Sequence, residues 1–214
     1  MRVREFMTTN VISVSSKTPV LDAQKYMSVH RIRRLPVVDK GKVQGIVSDR
    51  RIAAASPSAA TSLSVWEINN LMSKLTVGEI MSTPVYTVSQ DTTAESALAF
   101  AQDKGIGSLP VVDDKNRLVG IVTTNDFVYR IMNPLLGIGK PGARLHIFDC
   151  GKTQNILEVI QTLNDMNLQV EAVHVDDSIE RDTRDLIVQV DMQDASELIR
   201  KISNLGYSVD VRER

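Results

Sequence analysis

Residues 3–39, VREFMTTNVISVSSKTPVLDAQKYMSVHRIRRLPVVD, return as residues 77–113, VGEIMSTPVYTVSQDTTAESALAFAQDKGIGSLPVVD. Without gaps the two stretches are identical at 15 of 37 positions, far more than unrelated sequences share. One inserted residue later, GIVS at 45–48 returns as GIVT at 120–123. A period of about 75 residues is too long for a solenoid and describes a small domain present twice. Two such copies can pack around a pseudo-twofold axis, leaving two related clefts where function is sought.

Each copy reads in the same order. A short β-like run (Val11–Val14, Val85–Val88) ends in polar residues. Thr18-Pro19 then opens a helix with Leu21, Ala23, Tyr26 and Met27 on its apolar positions; Ala94, Ala97, Leu98 and Ala101 take those places in the second copy. Proline suits a first turn, whose N–H has no intrahelical acceptor. Two strands follow, Leu35–Val38 with Val43–Val47 and Leu109–Val112 with Leu118–Val122, and a second helix starts near Asp49 and near Asn125. Between the copies, ASPSAATSLS (55–64) reads as linker. VWEINNLMSKL (65–75) carries Val65, Ile68, Leu71, Met72 and Leu75 at helical spacing, with Trp66 expected to anchor that helix.

A break at NPLLGIGKPG (133–142) precedes a different module. Its pattern is strand (Arg144–Phe148), helix (Thr153–Met166), strand (Gln169–Val175), strand (Asp185–Met192), helix (Ala195–Leu205), strand (Tyr207–Val211). Ile156, Val159, Ile160 and Leu163 follow the helical period, and Gly206 after Asn204-Leu205 is a left-handed stop. The order βαββαβ predicts a four-stranded antiparallel sheet with both helices on one face, a ferredoxin-like fold. The chain is therefore divided into repeat 1 (1–60), a linker helix (61–76), repeat 2 (77–132), a linker (133–142) and a C-terminal domain (143–214).

The totals exclude several classes. Apolar residues are 43% and charged residues 24% of the 214, as in ordinary globular proteins. A net charge of −1 and 4% aromatics argue against nucleic acid and membrane surfaces as partners. No run is long and apolar enough for a membrane span, and MRVREFMTTN lacks a signal-peptide core, so a cytoplasmic location is expected. The single Cys150 can neither form an internal disulfide nor frame a zinc site; it reads as a small, half-buried hydrophobe. His30, His146 and His174 are scattered, and GIGKPG (137–142) lacks the spacing of a phosphate-binding loop, so no enzyme and no metal site is expected.

The duplicated LPVVD…GIV[ST] pattern resembles a tandem pair of CBS domains over residues 1–132, and the tail resembles an ACT domain by its order of elements. The whole arrangement, with SDRRIAAASPS after the first copy, is similar to bacterial acetoin-utilisation regulatory proteins. The resemblance implies an α/β (α+β) fold: two CBS repeats in a pseudo-twofold Bateman-type module plus a ferredoxin-like ACT domain. It also implies a homodimer, and an adenine nucleotide as regulatory ligand.

The family's site signature, a Thr or Ser followed three residues later by Asp, is present as Thr123-Thr124-Asn125-Asp126. An Asp there accepts from ribose hydroxyls, while Thr123 and the helix start favour phosphate. Thr123 capping a helix with Asp126 at its third position explains the same pair without a ligand. Carried over by position, Met7, Ile12, Ile32 and Ile121 surround the base, Arg33 faces the phosphates, and Arg34 and Gly107 join from the shared centre. The sister cleft, with Met81, Tyr86, Ile106 and Ser108, departs from the pattern: Ser48-Asp49-Arg50-Arg51 puts Arg51 where the carboxylate belongs. It is expected to be empty, to hold only a phosphate tail, or to lend Arg51 to its neighbour.

His30, Arg31, Arg33, Arg34, Arg50 and Arg51 gather six basic or potentially basic groups into 22 residues. Fixed arginines suit bidentate phosphate contacts, which favours ADP, ATP or a dinucleotide over AMP; a solvated face, or ion pairs with Asp39 and Asp49, are the alternatives. In the tail, Asp149–Asn155 marks the loop where ACT domains take amino acids, here without the usual proline, and pairing with another chain is preferred to that binding. Two rival functions stay open: an interaction scaffold with vacant clefts, and an amino-acid-responsive ACT regulator.

Overall fold

The computed structural model describes residues 1–57, 64–178 and 181–212. Residues 58–63 of the expected linker lie outside them. The chain forms two compact units, Met1–Phe127 and Val128–Arg214.

In the first unit, repeat 1 comprises α1 (Val3–Phe6), α2 (Val20–Val29), β1 (Arg34–Asp39), β2 (Lys42–Ser48) and α3 (Asp49–Ala55). Helix α4 (Val65–Lys74) follows. Repeat 2 then supplies α5 (Val77–Ile80), β3 (Val88–Ser89), α6 (Ala94–Asp103), β4 (Ser108–Val112), β5 (Leu118–Thr123) and α7 (Thr124–Phe127). β1 pairs antiparallel with β2, and β4 with β5, each with a register shift at the same Val-Val step. The β1–β2 hairpin closes on Lys40 and Gly41, both at positive φ (49° and 76°), as a two-residue turn requires. The longer 113–117 turn, with Asn116 at φ 60°, accommodates the inserted residue.

The repeats exchange their leading segments. Val3 N–H donates to the Thr92 carbonyl at 2.9 Å, and Val77 N–H donates to its counterpart Thr18 at 2.9 Å. Thr8 pairs with Ile121, and Ser82 with Ile46, so each leader lies on the other repeat's hairpin. Phe6, 1% exposed, meets Phe127 edge-on at 5.2 Å between ring centres. Val77 likewise sits in a core with Val20, Leu35, Val37, Val47 and Ile52.

This exchange corrects the expected strands at 11–14 and 85–88. Only a single Val14–Val37 bridge and the two-residue β3 form, both parallel to the following strand. Residues 9–13 must travel from the other repeat's β5 to their own β1 and pair with neither on the way. Trp66 is corrected as well: it is 74% exposed. The inward face of α4 is set by Ile68, Met72 and Leu75, and a residue two before Ile68 points away from it.

In the second unit a π-helical turn (Val128–Met132) and α8 (Asn133–Leu135) precede β6 (Ala143–Ile147), α9 (Thr153–Asp165), β7 (Val170–Asp177), β8 (Arg184–Val190), α10 (Ser196–Asn204) and β9 (Val209–Arg212). The sheet order is β7-β8-β6-β9, every pair antiparallel, as expected for βαββαβ. Leu145, Ile147, Leu186, Val188 and Val190 pack on Val159, Leu163, Leu198 and Ile202 of the helices. Gly206, at φ 96°, ends α10. The 133–142 stretch packs within this unit rather than standing apart as a linker: buried Gln189 donates to the Lys140 and Pro141 carbonyls at 3.1 and 3.2 Å. Arg144 donates to the Leu136 carbonyl. Cys150 is fully buried, not half-buried, and burial, reinforced by the charge of Glu158, pushes its thiol up to about 11.

One buried carboxylate carries a pH prediction. Asp185, 3% exposed, lies 2.9 Å from His146 Nε2 and accepts from the Asp149 N–H at 2.9 Å and from Arg181 Nη2 at 3.2 Å. Burial alone would raise its pKa, but these partners outweigh it and hold the carboxyl below its ordinary value. A lowered folded-state value adds stability above the unfolded value that is lost as pH falls through the folded one. The advantage of wild type over Asp185→Asn in urea is therefore expected to shrink below about pH 4. A pH-independent advantage contradicts the assignment.

Candidate functional site

The larger cleft of the first unit encloses about 1110 Å³. It brings together eight of the residues picked out in the sequence: Ile12, Ile32, Arg33, Arg34, Ile121, Thr123, Asn125 and Asp126. Thr8, Asn10, Val11, Gln24, Pro36, Ala53 and Thr124 also line it, as do Ser48, Asp49, Arg31 and Arg50.

Its acidic corner is built by the end of β5. Asp126 Oδ2 accepts from the Thr123 N–H at 2.8 Å and from Thr123 Oγ1 at 2.7 Å. The Asp126 half of a helix cap is thus present, and the same two bonds fix that carboxylate in the cleft wall. Ile12, Ile32 and Ile121 supply apolar surface, the last because β5 carries it beside the exchanged Thr8. An oriented carboxylate, an apolar wall and a group of cations are therefore set in one cavity.

Four of the six clustered basic residues line that cavity: Arg31, Arg33, Arg34 and Arg50; His30 and Arg51 do not. Among the described residues, only Arg33 of these four approaches a carboxylate, Asp49 at 3.9 Å, and it is 85% exposed. Asp39 is engaged by Ser15 and Ser16 instead. The ion-pair explanation of the cluster therefore reaches no further than one loose pair.

Arg31 stands at φ 53°, and its counterpart in repeat 2 is Gly105 at φ 61°. Left-handed backbone costs a residue with a Cβ roughly 1–2 kcal/mol, so an arginine is kept where glycine fits better. Arg31→Gly is expected to raise stability by about 1 kcal/mol in denaturant while weakening triphosphate binding. Equal or lower stability contradicts this reading.

Met7 and Gly107 were expected to line the cleft and do not. Met7 packs on β5: a Cβ at Gly120 would sit 2.5 Å from its sulfur, and Met81 relates to Gly45 in the same way at 2.7 Å. Gly107 makes room for Arg34, whose Nη2 would lie 2.8 Å from a Cβ there. Both residues position the site's walls. The glycine at the step before β4 was the readable signal for the second of these.

The sister cleft encloses about 130 Å³. Ser48, Tyr86, Ile106 and Ser108 line it as expected, with Arg34, Ile46, Ser82, Pro84, Val85 and Gly107. Met81 does not, being packed on Gly45. Arg51 lines neither cleft; its Nε donates at 3.1 Å to the Oγ of Ser82, which is on the wall of the smaller one. The two clefts are thus unequal in size as well as in charge.

A duplicated α/β unit with exchanged leaders and paired clefts defines a tandem two-repeat module. The chain belongs to the CBS domain family, matching it over residues 3–58 and 77–133. It is 30% identical over 131 residues to the CBS domain-containing protein YhcV of Bacillus subtilis, covering 61% of this chain and 86% of that one. A Vibrio cholerae structure provisionally named acetoin utilization protein (AcuB) matches with TM-score 0.54 and 30% identity over 66% of this chain and 98% of that one. The CBS pair of protein MJ0100, solved with 5′-methylthioadenosine and S-adenosylmethionine, matches with TM-score 0.51 and 30% identity, covering 62% and 96%. CBSX2, solved with AMP, matches with TM-score 0.50 and 29% identity, covering 62% and 96%. The chain spans only 27% and 32% of the length of the archaeal inosine-5′-monophosphate dehydrogenases it also matches. Among the described residues no helix is long and apolar enough to cross a membrane, and no group of His, Cys, Asp and Glu could hold a metal ion.

Proposed function

We propose that the chain is a non-catalytic cytoplasmic regulator that binds an adenine nucleotide in its larger cleft. Asp126 would accept from the ribose hydroxyls, held in place by Thr123. Ile12, Ile32 and Ile121 would enclose the base, with Met7 setting the position of β5. Arg33, Arg34, Arg31 and Arg50 would take the phosphates, Gly107 seating Arg34 and Asn125 standing beside them. The observation that carries this reading is the shared cavity itself: a fixed carboxylate, three isoleucines and four arginines around one space.

The four guanidiniums favour ADP, ATP or a dinucleotide over AMP, since each added phosphate brings further charge-assisted contacts. The adenosyl ligands of the MJ0100 and CBSX2 structures support the base and ribose half of the reading. Of a role in acetoin or acetyl-CoA metabolism, the likeness to the Vibrio protein supports the acetoin part.

The C-terminal unit is read as an ACT-like domain that holds a homodimer or transmits the nucleotide signal to a target protein. Its 149–155 loop is bonded to itself and to its neighbours, Asn155 Nδ2 donating to the Asp149 carbonyl at 3.2 Å and Arg181 to the Asp149 carboxylate at 3.3 Å. This favours pairing with another chain over amino-acid capture there.

Calorimetric titration of the full chain with AMP, ADP, ATP, S-adenosylmethionine and NAD tests the reading. Saturable binding with ADP or ATP tighter than AMP is expected. No heat and no saturation with any of the five would overturn it and leave the vacant scaffold.

A further inference from the structure

The smaller cleft has its own chemistry. At the position where repeat 2 carries Asp126, repeat 1 carries Arg51, so a hydroxyl-accepting corner is replaced by an anion-attracting one. The Arg51 guanidinium is tethered to Ser82, a wall residue, at 3.1 Å. Arg34, at the start of β1 in the same repeat, lines this cavity, seated over Gly107 of repeat 2. Ser48, Ser82 and Ser108 add three hydroxyls, Ser108 only 6% exposed, and no Asp or Glu lines the space. Ile46, Pro84, Val85, Tyr86 and Ile106 complete the wall, and such largely apolar surroundings strengthen a charge–charge contact relative to water.

Size narrows the ligand. Pockets for drug-sized molecules run to roughly 300 Å³ and above. About 130 Å³ is too little for a nucleoside and suits a compact tetrahedral oxyanion. We infer that this cleft is an inorganic phosphate site, held by Arg51 and Arg34 and by the serine hydroxyls, and that its occupancy opposes nucleotide binding. The opposition follows from Arg34, which lines both clefts. One guanidinium cannot serve two anions equally, and the anions repel each other. By linkage, nucleotide lowers phosphate affinity by the same factor. The opposition rests on the proposed nucleotide reading of the larger cleft; the phosphate site does not.

The test is calorimetric titration of inorganic phosphate into the full chain in phosphate-free buffer at low salt. Wild type is compared with Arg51→Ala, Arg51→Glu, Arg33→Ala and Asp126→Ala, each first shown to be folded without ligand at the temperature of the titration. Should an Arg51 variant melt early, Ser82→Ala replaces it. One phosphate is expected to bind, about tenfold more weakly in Arg51→Ala, as loss of a charge-assisted contact predicts, and undetectably in Arg51→Glu. Arg33→Ala and Asp126→Ala are expected to bind it as wild type does.

Phosphate at a concentration that saturates wild type should also weaken ATP binding there and leave it unchanged in Arg51→Glu, which does not hold the ion. Phosphate affinity that survives Arg51→Ala and falls with Arg33→Ala puts the ion in the larger cleft and overturns the proposal. ATP binding that drops in Arg51→Ala without added phosphate makes the cleft a seat for the nucleotide's own tail, which overturns it equally. Phosphate binding that depends on Arg51 in a protein that binds no nucleotide would uphold the site and remove both the opposition and the nucleotide reading.

Discussion

Asp126→Ala is expected to abolish the stabilisation that an adenine nucleotide gives the protein. A ligand at 100 times its dissociation constant adds about 2.7 kcal/mol, which appears as a rise of several degrees in the melting temperature. The carboxylate contributes twice, as a wall of the larger cleft and as acceptor for the Thr123 N–H and hydroxyl. The substitution therefore also lowers the stability of the unliganded protein, by about 0.5–2 kcal/mol for the lost cap. Asp126→Asn separates the two roles, since its amide oxygen can still cap the helix. It should melt near wild type without nucleotide and still lose most of the nucleotide-induced rise. Full retention of that rise in both variants removes Asp126 from the binding site.

Phe6→Ala is expected to be the most damaging single truncation in the first unit, at about 3–5 kcal/mol. Phe6 is 1% exposed and packs edge-on against Phe127, a pair worth roughly 0.5–1.5 kcal/mol beyond the area it buries. The consequence reaches the cleft. Phe6 anchors the leader whose next residues seat Met7 on Gly120 and pair Thr8 with Ile121. Nucleotide affinity is therefore expected to fall in Phe6→Ala even where the protein is still folded, although Phe6 does not line the cavity. Urea unfolding with and without nucleotide measures both effects. A loss under about 1 kcal/mol would show that the leader is not held across the repeats as described.

The duplication made the repeat order legible because both copies carry the same hairpin and helix signals. LPVVD and GIV[ST] fall on β1, β2, β4 and β5 with their register preserved. The exchange of leaders was not legible. Periodicity within a copy states which face of a segment is apolar, and says nothing about which of two near-identical hairpins it will meet. Val11–Val14 reads as a strand for the same reason: its composition is β-like, but its backbone is drawn between two partners.

The cleft was readable where a side chain acts on its own, as with Asp126 and the arginines. It was misread where a residue acts through another. Met7 and Gly107 occupy family positions, yet each shapes a neighbour, β5 in one case and Arg34 in the other. Alignment of Arg31 with Gly105 carried a usable signal, since glycine in one copy marks a backbone that its counterpart must also adopt. Trp66 was misjudged by phase: large aromatics are buried on average, but the face of α4 is set by Ile68, Met72 and Leu75.

The most direct test is amide chemical-shift mapping on the isotope-labelled 214-residue chain during an ATP titration. Saturable shifts concentrated at Ile32–Arg34 and Ile121–Asp126, with residues 143–212 changing far less, are the predicted result. Shifts confined to residues 143–212, or none at saturating ATP, would contradict the assignment of the larger cleft as the nucleotide site.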